Sequence, residues 1–168
     1  MLLAATLLAD FERETPGTRA VLQAVPEEHF AYKPHEKSMS LGALAGHIAE
    51  STFWLHAMIK GSMDVDTMMT DYKPFVPSTK LELMEVFEKN VAGLATLLAG
   101  RDDDFMNGSF KMTKGDEVIM EQPRHVALRS TGVHHQLHHR AQLTVYLRLL
   151  DVAVPSTYGP TADDRLEG

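Results

Sequence analysis

Four stretches of roughly twenty residues carry apolar side chains at helical spacing, and proline or glycine punctuates the chain around them. The first runs from Leu2 to Ala24, with Leu3, Leu7, Phe11, Thr18 and Leu22 near one stripe, and Val25-Pro26 stops it. Pro16 lies inside that pattern and predicts a kink or a break. Ser40 is placed to cap a second helix, Leu41 to Lys60, which ends at Gly61. Ser78 precedes a third, Thr79 to Ala99, stopped by Gly100. The fourth follows Pro123 and runs without proline from Arg124 to Val152, keeping Val126, Leu137, Val145 and Leu149 at helical spacing. The connections differ in length. Residues 62–77 are irregular, with Pro74 and Pro77, while the alternation around Lys114-Gly115-Asp116 predicts a small hairpin or an extended crossover before the last helix. The pattern predicts an all-α fold: one domain over residues 1–168, a four-helix bundle with long crossover connections.

The fourth stretch holds a crowd of histidines, His134, His135, His138 and His139. Residues four apart share a helix face, so two pairs have metal-binding spacing, His134/His138 and His135/His139. A solvated, pH-sensitive face is the other reading of such a tract. The two pairs point about 100° apart, so only one can face the interior. Leu128, Thr131, Leu143 and Tyr146 share the stripe of His135/His139, with Gln142 slightly off axis. A third imidazole is available from His47 in the second helix, where Glu50 and Ser51 lie one turn on and Trp54 seven residues on. Each neighbour has a plainer reading: core packing for Trp54 and Tyr146, and an exposed helix carboxylate for Glu50. Bundles build metal sites from side chains on facing helices, and three imidazoles without a thiolate leave an open coordination position. Zinc proteases with His-x-x-x-His carry a glutamate after the first histidine. Here Gln136 stands there and cannot take a proton, which excludes that class.

Composition removes other classes. A net charge of −7 lacks the basic face that phosphate neutralisation requires, so nucleic acid and anionic membrane surfaces are excluded as partners. There is no cysteine, hence no disulfide, thiolate metal site or cysteine nucleophile. No glycine-rich phosphate loop or serine elbow occurs. The apolar opening Met1–Ala9 lacks a positive flank and runs into Asp10, Glu12, Arg13 and Glu14, so it reads as helix rather than signal. No apolar run reaches the roughly 20 residues that span a bilayer, and a cytoplasmic protein is expected.

Ser40–Ile48 around His47, and His135-Gln136-Leu137-His138-His139-Arg140-Ala141-Gln142, resemble the DinB/YfiT-like superfamily of helical bundles. The endings Tyr146-Leu147-Arg148 and Val154–Asp163, and the early Pro26–Pro34, are similar to that family along essentially the whole chain. Ala141 departs from it, since glycine commonly follows the His-Arg pair there. The resemblance implies metal ligation by His47, His135 and His139, with His134 and His138 outside the site. It further implies a divalent transition metal, nickel or zinc, and frequent homodimers. Characterised members include S-transferases and isomerases that use low-molecular-weight thiols.

The expectation is therefore a metal-dependent enzyme, such as a thiol S-transferase or isomerase acting on a small-molecule substrate. A non-catalytic metal- or small-ligand-binding stress-response protein is the alternative, and a structural dimer with a vestigial site is a third. No catalytic residue is assigned. Met58, Met63, Met68 and Met69, at or beyond the end of the second helix, offer an adaptable apolar surface for a homodimer or simply line the crossover.

Overall fold

A computed structural model describes residues 2–164; Met1 and the last four positions of the expected 1–168 domain lie outside the described residues. Helix α1 spans Leu3–Ala24 and passes through Pro16 without a break. The second helical stretch is two helices, α2 (Leu41–Glu50) and α3 (Phe53–Lys60). A short strand β1 (Ser62–Asp64) and helix α4 (Val65–Asp71) follow, then α5 (Lys80–Leu98) and α6 (Asp103–Asn107). Strands β2 (Ser109–Lys114) and β3 (Glu117–Pro123) lead into α7 (Arg124–Leu128), a π-helical segment (Arg129–His134) and α8 (His135–Leu149).

The structure is mostly helical, but it corrects the all-α expectation. The hairpin forms, with Gly115 at φ 57° in its turn, and β2 also takes β1 as a parallel neighbour, giving a three-stranded sheet in the order β1-β2-β3. Residues 62–71, expected as irregular connection, supply that extra strand and a helix. Asp64 explains why: its carboxylate accepts from Thr67 N at 2.8 Å, capping α4, and from Gly115 N at 2.9 Å, holding the hairpin.

The cap on α2 is as expected, with Ser40 Oγ accepting from Ala43 N at 3.2 Å. The cap on α5 is Thr79 rather than Ser78, accepting from Glu82 N at 3.1 Å. The break after Glu50 has no proline or glycine to announce it. Ser51 Oγ donates to Ile48 O at 2.9 Å, the kind of side-chain competition that bends helices. The π-helical turn is centred on Gly132, where any Cβ would lie 2.6 Å from Phe11 Cζ and 2.9 Å from Leu55 Cδ2, so only glycine admits this approach.

Two apolar cores fill the interior. One gathers Leu7, Phe11, Leu55, Leu94 and Phe110; the other gathers Leu22, Leu44, Ile48, Phe87 and Leu143. Each long helix crosses from one core to the other at a polar residue. On α1 these are Glu14 and Thr18, at the α2–α3 break Ser51 and Thr52, and on α8 Gln136 and Arg140, all buried. On α5 it is Asn90, whose amide donates to Ala49 O at 2.9 Å. A buried polar belt of this kind needs every member satisfied. Arg140 meets the requirement with Glu14 Oε2 at 3.0 Å, Glu14 O at 3.1 Å and Thr18 Oγ1 at 3.1 Å, while Tyr158 OH donates to the same carboxylate at 2.6 Å. Gln136 Nε2 donates to Ser51 Oγ at 3.1 Å.

The apolar periodicity read in the last helix is real but faces outward. Val126, Val145 and Leu149 are exposed, Leu137 alone of the four packs against the core, and the inward face carries Gln136 and Arg140 beside Leu143, Tyr146 and Leu147. Met58, read as surface, is wholly buried, whereas Met69 is exposed.

Candidate metal centre

The histidines stand at the edge of the polar belt. His47 is on α2, His135 opens α8 immediately after the π-helical turn, and His139 follows one turn later. Their rings approach edge to face, with centroids 5.0 Å (His47–His135), 4.6 Å (His47–His139) and 4.4 Å (His135–His139) apart. One ring nitrogen from each lies within 4.8 Å of the other two. His134 and His138 are exposed and outside the trio. Their place follows from the helix: the residue after each inner histidine, Gln136 or Arg140, is clamped into the belt, which turns His135 and His139 toward α2.

The donor set fits a divalent transition metal. His47 Nε2 and His135 Nε2 are 2.8 Å apart, close enough that a shared proton or a shared cation must lie between two lone pairs. Burial, then repulsion from His139 and His135, pushes His47 down from its ordinary value near 6.5 to about 4. Burial likewise lowers His135, and lowers His139 against an opposing hydrogen bond from Gln142. Neutral imidazoles with free lone pairs are what a metal requires. Gln142 Oε1 lies 2.8 Å from His139 Nδ1, and an amide oxygen can only accept, so Nδ1 carries the proton and Nε2 the lone pair.

Glu50 is buried, not an exposed helix carboxylate. Its Oε1 lies 4.0 Å from His47 Nδ1, Tyr72 OH donates to that oxygen, and Phe75 N approaches both oxygens at 3.3 Å. Burial raises the Glu50 carboxyl against these bonds, and burial followed by the Glu50 contact raises the Tyr72 phenol. The segment of Tyr72 and Phe75 is pressed onto α2 at Gly46, where a Cβ would fall 2.2 Å from Phe75 O. Sequence reading missed Tyr72. Its only trace was a tyrosine just before Lys73-Pro74 in a stretch read as connection. Trp54 is half-buried with its ring 4.5 Å from that of Tyr72, and Tyr146 is buried, its OH donating to Met39 O at 3.2 Å.

One cleft opens on the trio and a second lies beyond Glu50. The first, of about 390 Å³, is lined by His139, Gln142, Tyr146, Met39 and Leu44. A larger one of about 570 Å³ shares only Glu50 with the histidine neighbourhood. His139 therefore faces the smaller cleft directly, and the larger is reached past Glu50.

The lowered histidines give acid sensitivity a definite sign. The unfolded chain takes up protons near pH 6.5 and the folded His47 only near 4, so stability is full above 6.5 and falls as pH drops toward 4. For His47 this is on the order of 2–3 kcal/mol. Urea unfolding of metal-free protein at pH 7 and pH 4.5 is expected to show this loss in the wild type and a smaller one in His47→Gln. Equal losses in the two proteins would contradict it.

The model of the DinB family matches residues 1–165. Three solved structures are similar throughout. A DinB-like protein from Bacillus cereus is 22% identical, with TM-score 0.72, covering 90% of this chain and 95% of that one. One from Bacillus subtilis is 17% identical, with TM-score 0.68 and coverage of 90% and 97%. A structure described as a member of the DinB family from Exiguobacterium sibiricum is 20% identical, with TM-score 0.65 and coverage of 96% of each chain. At these identities the likeness establishes the fold alone. No match was found among the curated proteins. Among the described residues, no helix is long and apolar enough to cross a membrane.

Proposed function

The chain belongs to the DinB family, and from that premise we propose that it is a metal-dependent enzyme, an S-transferase or isomerase that works with a low-molecular-weight thiol on a small-molecule substrate. One observation carries the reading: His47, His135 and His139 converge from two helices, with one nitrogen of each within 4.8 Å of the others. These three side chains would hold the metal. Imidazole donors suit zinc, nickel, copper and iron, and the family resemblance narrows the choice to nickel or zinc. When bound, the metal supplies Lewis acidity and an open position at which a thiol proton is lost more readily.

The remaining chemistry belongs to the chain. Gln142 fixes the tautomer of His139. Gln136 and Arg140 hold α8 at a set distance from α1 and the α2–α3 break, so the two inner histidines keep their aim. Glu50, held by Tyr72 and Phe75, sets the wall between His47 and the larger cleft. The four long helical tracts act as a bundle that presents the centre.

Thiol consumption tests the reading. Protein loaded with nickel or zinc is mixed with cysteine-derived thiols and a panel of small electrophiles. Loss of thiol that stops on chelation and in His47→Ala is expected. An isomerase returns its thiol unchanged, so conversion of the substrate is followed as well; metal uptake with neither thiol loss nor thiol-dependent conversion of any substrate would favour the non-catalytic binding protein.

The functional unit in this reading is a homodimer. Exposed Val145 and Leu149 on the outer face of α8 give a second copy apolar surface to cover. Light scattering is expected to give twice the 18.7 kDa chain mass. A single-chain mass unchanged on tenfold concentration would rule the dimer out.

A further inference from the structure

The larger cleft has a chemistry of its own. Its wall is aromatic: Phe53 and Trp54 meet with ring centroids 5.4 Å apart, and Trp54 and Tyr72 at 4.5 Å. Met63 and Met68 add polarisable apolar surface that adapts to a ligand's shape. A volume of about 570 Å³ suits a molecule of one or two rings.

The charges at its rim are unequal in availability. Both carboxylates there are engaged within the protein. Glu50 accepts from Tyr72 OH and Phe75 N, and Asp64 from Thr67 N, Thr113 Oγ1 and Gly115 N. The two lysines lining the same cleft, Lys60 and Lys73, are exposed, and among the described residues they form no ion pair. An aromatic wall with two exposed lysines beside it, and carboxylates whose oxygens already accept from protein donors, suits an apolar body carrying an anionic end.

From this we infer that the cleft between α3, β1 and α4 is a binding site for small aryl or alkyl carboxylates, with the apolar part on Trp54 and Tyr72 and the carboxylate at Lys60 and Lys73. The binding itself does not require the metal. That such a ligand is the substrate rests on the enzyme reading above, since Glu50 joins this cleft to the histidines.

The chain contains one tryptophan, and it lies in this wall, so its emission reports on the cleft alone. Metal-free protein is titrated with 4-phenylbutyrate and with its neutral amide, 4-phenylbutanamide, by tryptophan emission and by calorimetry. Saturable binding of the acid is expected, with the amide weaker by about fivefold or more. Lys60→Gln/Lys73→Gln should reduce the acid to the level of the amide while leaving the amide unchanged. Absence of a saturable signal in both measurements would overturn the site, as would equal affinity for acid and amide or an unaltered preference in the lysine variant. Because the titration uses metal-free protein, its failure is separate from any failure to bind metal or consume thiol.

Discussion

Arg140→Met is expected to lower folding stability by about 3–5 kcal/mol, the scale for removing one partner of a buried ion pair. Arg140 is 4% exposed and Glu14 6%, and their groups meet at 3.0 Å inside the polar belt. Without the guanidinium, the carboxylate keeps, among the described residues, Tyr158 OH as a side-chain hydrogen-bond partner and the exposed Arg13 at 3.7 Å, and Thr18 Oγ1 and Glu14 O lose a donor. The cost is that of stranding a buried charge, not the worth of the pair. Glu14→Leu/Arg140→Met is therefore expected to recover most of the loss, since an apolar pair of similar volume leaves no buried charge unpaired. Urea unfolding at neutral pH measures both. A single variant that loses less than about 1 kcal/mol would show that water reaches the belt and screens the charge.

The second large effect concerns metal affinity. His47→Ala, His135→Ala and His139→Ala are each expected to weaken binding by on the order of a hundredfold or more, since each removes one of three donors. His134→Ala and His138→Ala are expected to stay within about threefold, because both side chains are exposed and outside the trio. Competition against a chromophoric chelator reads these affinities at neutral pH. If the 134/138 variants bound worse than the 135/139 variants, the inner face of α8 would be wrongly assigned.

The long helices were legible because their boundaries have local chemistry: Ser40 as a cap, Gly61 and Gly100 as stops, Pro123 before α7. The broken second helix and the π-helical turn were not. Gly132 acts through its contacts with Phe11 and Leu55, Ser51 bends its helix through a bond to Ile48 O that serines in unbroken helices also make, and neither changes the apolar count along its helix. The π-helical turn also limits any stripe drawn back from His135 at 100° per residue. Leu128 ends α7 and Thr131 lies within the π-helical segment, so the stripe from either to His135 crosses residues that turn by less than 100° each. Spacing offered two histidine pairs, the helix face and the family resemblance singled out His135 and His139 with His47, and what aims them was not legible. Gln136 was read only as a missing base and Arg140 only as part of a motif, whereas both are buried clamps. The parallel pairing of β1 with β2 joins residues about fifty positions apart, which no local pattern records.

Elemental analysis of the untagged protein, purified without chelator and then titrated with nickel or zinc, tests the central claim most directly. About one divalent ion per chain is expected, retained through dialysis at neutral pH, lost on acidification, and absent from the protein in which His47, His135 and His139 are all alanine. A wild-type chain that takes up no ion, or a triple variant that binds as much as the wild type, would contradict it.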